Sequence, residues 1–183
     1  MISPHGSKAL KVLLLEGKEK QEELKKAETL PKLQVASRET GDLIMMGIGG
    51  FTPIEGFMGH DDWKGVCESM KMTNGIFWPI PITLSQDEKL AAGTEVALLS
   101  EETKEIMATM KVTESYQIDK AFECKNVFTT NDTAHPGVQM VMGQKAWNIA
   151  GPVKVLSEST FPTDFKGVYQ RPAESRKIFE EKG

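Results

Sequence analysis

Three histidines, two cysteines and a few neighbouring acids are the residues of this 183-residue chain whose types suit chemistry. His5, His60 and His135 are scattered, and none has a second His or Cys at metal-ligand spacing such as His-x-x-x-His. Cys67 and Cys124 are far apart and lack Cys-x-x-Cys spacing, which fits reduced structural thiols better than a disulfide or metal framework. Glu55 beside Gly56-Phe57, the pair Asp61-Asp62, and the run Asp132 to His135 are the groupings that would support proton transfer. General acid–base catalysis needs such groups within hydrogen-bond reach, however, and adjacency in a loop does not supply that; helix-end acids and turn caps explain them equally well. Gly47-Ile48-Gly49-Gly50 reads either as a backbone cradle for an anion or as a helix stop leading into Phe51. Gly-x-Ser-x-Gly, Walker and Rossmann signatures are absent from the sequence. No catalytic, cofactor-binding or metal-binding residue is assigned from these patterns.

Composition bounds what the chain does. With 22 Lys+Arg against 26 Asp+Glu the formal charge is −4, and 39% hydrophobic with 26% charged residues is ordinary globular composition. A chain of this length buries roughly 70% of its unfolded surface. Acidic balance argues against a domain that grips phosphate backbones, so nucleic acid is not an expected partner. The longest apolar runs, Val12 to Leu15 and Ile44 to Ile48, fall short of the roughly 18 residues of a membrane span. Met1-Ile2-Ser3-Pro4-His5-Gly6 lacks the basic start and apolar core of a signal peptide, so the cytoplasm is the expected compartment.

The elements that must position any site follow from periodicity. Lys18 to Glu28 reads as a solvated helix stopped by Pro31, with Glu22 and Lys26 four apart in the favourable order. Ser37 to Met46 reads as a helix capped by Ser37 and ended by Gly47, or as a strand. In Asp61 to Met70, Trp63, Val66, Cys67 and Met70 share one helical face, and Asn74-Gly75 closes the segment. Ile76 to Leu84 alternates as a strand with Pro79 and Pro81 on one face, hence an edge or bulged strand. Glu95 to Leu99 and Glu105 to Val112 form a hairpin, and further strands are expected near Tyr116 to Ile118, Ala146 to Ile149 and Val153 to Leu156. Pro136 opens a short helix with Val138, Val141 and Met142 on one face, ended by Gly143. Phe161-Pro162 and Asp164 to Gln170 read as loop or linker, and Pro172-Ala173-Glu174-Ser175 opens a last helix. Short strands broken by short helices give an α+β chain, a partly closed β-barrel with helical decoration.

Gly50-Phe51-Thr52-Pro53-Ile54-Glu55-Gly56-Phe57-Met58-Gly59, followed by Trp78-Pro79-Ile80-Pro81-Ile82-Thr83-Leu84, resembles the amino-terminal domain of the ATP sulfurylase (sulfate adenylyltransferase) family. Pro4-His5-Gly6, His135-Pro136-Gly137-Val138 with Gly151-Pro152-Val153, and Pro172-Ala173-Glu174-Ser175-Arg176 agree in order and spacing. Departures are Ser7 where a second Gly is common, Thr52 and Ile54 for Ser and Leu, and Arg171 where Thr is usual.

The resemblance implies a PUA-like barrel over residues 1-168, then a linker and the first helix of a truncated α/β nucleotidyltransferase domain over 169-183. It implies a parent reaction of ATP with sulfate giving adenosine 5′-phosphosulfate and diphosphate, with Mg-ATP bound by the other domain. The family's Gln-x-Arg-Asn-Pro-x-His-x-x-His and Gly-Arg-Asp motifs do not occur here, so the chain alone is expected to be structural and inactive. Its own catalytic domain and, in the parent enzyme, further copies are the implied partners. Two other readings stand beside this one. PUA-like barrels also bind RNA, which the acidic charge disfavours; a small enzyme using His135 with Asp132 would need those side chains to converge.

Overall fold

The computed structural model describes residues 2–183, which divide into two compact units. The first comprises residues up to Gly56, Glu95–Lys111 and Pro152–Gly183; the second comprises Phe57–Thr94 and Val112–Gly151.

In the first unit, α1 (Gly17–Thr29) carries mostly charged residues, yet Glu23 and Ala27, one turn apart, are buried. Leu24 and Leu30 pack beside Ala27 against Ala97 and Leu156. The helix ends before Pro31, and Pro31 leads into β1 (Lys32–Val35). β1 runs parallel to β4 (Glu95–Ser100), and β4 forms the expected hairpin with β5 (Ile106–Lys111), its register shifting between Leu98 and Leu99. On the far side of β5 lie residues 153–155 of β7 (Trp147–Val155).

Residues 37–47 are a helix, α2 (Ser37–Gly47), which settles the choice between the two readings of that run. Its cap is Ala36, whose N–H donates to the Glu39 carboxylate at 3.1 Å; Ser37 is already inside the helix. Leu43, Ile44 and Met46 are buried. The Gly47 carbonyl accepts from the Leu13 and Leu14 amides at 3.0 Å each, and a Cβ on Gly47 would lie 2.9 Å from Val155 Cγ1, so close packing requires glycine there.

The second unit holds α3 (His60–Ser69), with Trp63, Val66 and Cys67 buried as the periodicity predicts. Met70, expected on the buried face, is instead the left-handed cap, φ 54°, and is 51% exposed, so the helix ends at Ser69. A Cβ on Gly65 would meet the Lys71 carbonyl oxygen at 2.6 Å as the chain turns back. β2 (Gly56–Phe57) marks the chain's passage between units.

Ile76 to Leu84 does not form the expected strand. Pro79 and Pro81 cannot donate to a ladder, and the segment is held by isolated bonds: Trp78 N–H to the Met70 carbonyl at 2.8 Å and Ile149 N–H to the Leu84 carbonyl at 2.8 Å. Ile82 and Leu84 are buried, whereas Ile80 is exposed.

Regular pairing resumes after the prolines, where β3 (Ser85–Gln86) flanks residues 147–148 of β7. β6 (Glu114–Gln117) pairs with residues 147–150 on the other edge. The two expected strands at Ala146 to Ile149 and Val153 to Leu156 are therefore one, β7, running through Gly151-Pro152. Pro152 falls between the Ala150 and Val153 pairings, so its missing N–H removes no ladder bond.

α4 (Lys120–Val127), unforeseen in the sequence, starts where the Asp119 carboxylate accepts from the Phe122 amide at 2.9 Å. α5 (Pro136–Met142) buries Val138 and Val141 beside Cys124, while Met142 is exposed. In the first unit again, α6 (Phe161–Asp164) is a single turn within the expected loop, and α7 (Pro172–Lys182) is the last helix. The mixed sheet with short helices is the α+β architecture expected from the sequence.

Candidate functional site

The glycine run after α2 does not present a free anion cradle. Ile48, Gly49 and Phe51 donate their amides to the carbonyls of Ile44, Met46 and Met45, at 2.9, 3.2 and 3.2 Å. Asp132 and His135 do not converge either. The Asp132 carboxylate accepts from the Ala134 amide at 2.9 Å, and His135 Nδ1 accepts from the Gly137 amide at 3.1 Å, capping α5. Both residues are exposed, and the imidazole lies 5.1 Å from the Phe128 ring. Glu55 pairs with Lys11, and Asp62 accepts from the Thr73 amide and hydroxyl at 2.7 Å each. Asp61 lies 3.3 Å from His60 Nδ1 at the start of α3. Each suspected acid or imidazole thus serves its own turn, helix end or surface pair.

Three clusters that sequence spacing did not reveal are better built. In the second unit, Trp63 Nε1 donates to Glu123 Oε2 at 2.6 Å. The rings of His60, Tyr116 and Phe122 lie 5.7, 5.9 and 5.6 Å from that indole. Tyr116 donates its hydroxyl to the Met58 carbonyl at 3.1 Å and accepts from Asn148 Nδ2 at 3.2 Å. Burial first, then the nearby carboxylates, push the Tyr116 hydroxyl far above its ordinary value, against the Asn148 bond. Glu114 reaches from β6 to accept the His60 amide at 2.9 Å, placing a carboxylate at the positive end of α3. Cys67, in the same core, has its thiol pushed up to about 12, chiefly by burial; Cys124 is likewise raised by burial. Neither is poised as a thiolate nucleophile.

In the first unit, Glu23 accepts from Thr109 Oγ1 at 2.7 Å and Lys154 Nζ at 2.8 Å, with Lys26 at 3.7 Å and Lys26 paired to Glu95 at 2.5 Å. Burial alone would raise the Glu23 carboxyl, but the Lys154 and Thr109 bonds outweigh it and hold the group below its ordinary value. These residues and Lys111 line a cavity of about 290 Å³. Its charges are largely matched within the wall, which suits a structural network. Glu23 was legible only indirectly, through its place one turn before the apolar Ala27.

The third cluster, also in the first unit, joins Arg171 to Glu158 and Glu16. Glu158 is held below the usual carboxylate range by the Arg171 fork, and burial opposes this. Among the described residues no three His, Cys, Asp or Glu side chains converge as metal ligands. Among the described residues no helix is long and apolar enough to cross a membrane.

A family model described as PUA-like domain matches residues 2–158. The sulfate adenylyltransferase of Syntrophobacter fumaroxidans is 60% identical over 189 residues, covering 100% of this chain and 46% of that protein. That of Chlorobaculum tepidum is 57% identical over 188 residues, with the same coverage of 100% and 46%. Among solved structures, the hexameric APS kinase from Thiobacillus denitrificans is similar with a TM-score of 0.73 at 25% identity, over 99% of this chain and 32% of that one. The chain spans about half the length of the curated relatives it matches.

Proposed function

Because the chain belongs to the PUA-like domain family, we propose that it works as the amino-terminal domain of a sulfate adenylyltransferase. The observation that carries this reading is 60% identity to a protein of that name along the whole chain, with the family's motifs in order. In this reading residues 1–168 are the PUA-like domain, and 169–183 are the linker and the first helix of a catalytic domain. The parent reaction joins a sulfate oxygen to the α-phosphorus of ATP as diphosphate leaves. In this reading the donors that stabilise charge on those phosphates belong to the half of the relatives that this chain does not span. On the same reading Mg²⁺ binds with ATP in that other half.

The chain's own part is architectural. Its matched ion network ties together the first unit and its aromatic core the second, and its partners are the catalytic half and, in keeping with the hexameric structural neighbour, further copies of itself. The cytoplasm is the proposed compartment. Purified chain given ATP, sulfate and Mg²⁺ is expected to release no diphosphate above a denatured control. Reading the gene past the Gly183 codon is expected to find Gln-x-Arg-Asn-Pro-x-His-x-x-His. Release by the chain alone, or a frame without that motif, overturns the reading.

A further inference from the structure

Helix α7 buries no residue, and its Phe179 is 69% exposed. The buried apolar stripe that usually fixes a surface helix to its core is reduced to a half-buried Ile178. Charge takes its place. Arg171, at the helix cap, forks onto Glu158: Nε donates to Oε1 at 2.8 Å and one terminal nitrogen to Oε2 at 2.5 Å, while the other donates to Glu16 at 2.9 Å. Only 11% of the Glu158 side chain is exposed, and it also accepts from the Tyr169 hydroxyl at 2.9 Å. A planar guanidinium matched to a shielded carboxylate is the strong form of an ion pair. Beyond the first turn, Arg176 adds a bond to the Ile2 carbonyl.

The same pair closes a loop. Residues 159–170 leave at Glu158 and return at Arg171, the geometry of an Ω-loop. Every residue from 160 to 168 is exposed, and the Phe161 and Phe165 rings lean on each other at 5.7 Å. With no buried side chain of its own along that stretch, the loop depends on its ends.

We propose that the Arg171–Glu158 pair is a clasp that closes the 159–170 loop and holds α7 on its unit. Opening it releases loop and helix together while the sheet of that unit stays folded. Only one consequence rests on the proposed function: if 169–183 leads to a catalytic half, the clasp sets the direction in which the chain departs. The clasp itself does not depend on that reading.

Amide hydrogen exchange on the 183-residue chain tests it. Arg171→Thr removes the guanidinium but supplies a good cap, completing a Thr-x-x-Glu box with Glu174, so the helix start is not weakened. Exchange across residues 161–182 is expected to rise about tenfold or more, with β5 unchanged. Glu158→Gln keeps the shape and a partner for Tyr169 and is expected to give the same pattern, more weakly. Unchanged α7 protection in Arg171→Thr overturns the clasp, as does an equal loss in β5 and α7 in both variants. Wild-type α7 amides exchanging like an unstructured peptide would overturn it too. Diphosphate release plays no part, so failure of the clasp and failure of the proposed function are read separately.

Discussion

Trp63 and Glu123, 3% and 4% exposed, are joined by an indole Nε1–H that donates to the carboxylate Oε2 over 2.6 Å. The bond ties α3 to α4 inside an otherwise apolar core of aromatic and small aliphatic side chains, where water cannot replace a lost partner.

Trp63→Phe keeps an aromatic ring in the core while removing the donor and part of the ring volume. The Glu123 carboxylate then lacks one partner in a buried place, and stability is expected to fall by about 1–3 kcal/mol. Urea unfolding followed by far-ultraviolet circular dichroism measures this, and a midpoint equal to wild type would refute the assignment.

Cys67 and Cys124 are free and buried, with thiols raised above their ordinary value. Ellman's reagent at pH 8 is expected to leave both unreacted in the folded chain and to titrate both in guanidinium chloride. Rapid reaction of either thiol under native conditions would contradict the burial that raises them.

Asp42 behaves in the opposite sense to most carboxylates. Burial pushes its pKa from 3.8 up to about 6, Arg38 pulls it down, and Glu39 adds to the rise. The folded chain therefore holds this proton more firmly than the unfolded one, and its contribution falls as pH rises from the unfolded value through about 6. Asp42→Asn is expected to gain about 1–2 kcal/mol at pH 7 and nothing at pH ~3.5. Thermal unfolding at the two pH values decides it; equal effects at both would rule out this origin.

Glu23 shows the usual sign. Its carboxyl lies below 4.5 in the folded chain, so the Thr109 and Lys154 bonds stabilise fully above that value and fade as pH falls through the lower folded one. Glu23→Ala leaves the buried Thr109 hydroxyl without that acceptor and is expected to destabilise by about 1–3 kcal/mol at pH 7. The difference from wild type should shrink in acid, and a constant difference down to pH ~2.5 would argue that packing alone is at work.

Elements defined by local chemistry were legible before any coordinates. Alternating charge ended by Pro31 marks α1, the Trp63, Val66 and Cys67 stripe marks α3, the polar turn after Leu99 marks the β4–β5 hairpin, and Pro172 with Glu174 marks α7. Alternation misled at Ile76 to Leu84, because period alone does not reveal whether a partner strand will accept a segment with two missing donors. It also split β7, since Gly151-Pro152 is a turn signal unless neighbouring strands change partners at that point. Met70 and Met142 sit in helical register with buried residues yet end up exposed, one at a left-handed cap and one at a last helical turn.

The sequence by itself determined α1, α3, α5, α7, the hairpin and the family, since caps, periodicity and ordered motifs are written in neighbouring residues. Tertiary structure alone decided which charges matter. Arg171 stood in the sequence only as a departure from a motif, and Glu158 and Glu16 carried no signal at all; their meeting spans 13 and 155 residues. Partial burial is what turns such distant charges into a defined contact, because shielding from water lets a fork of hydrogen bonds hold, and burial is a property that no local spacing encodes.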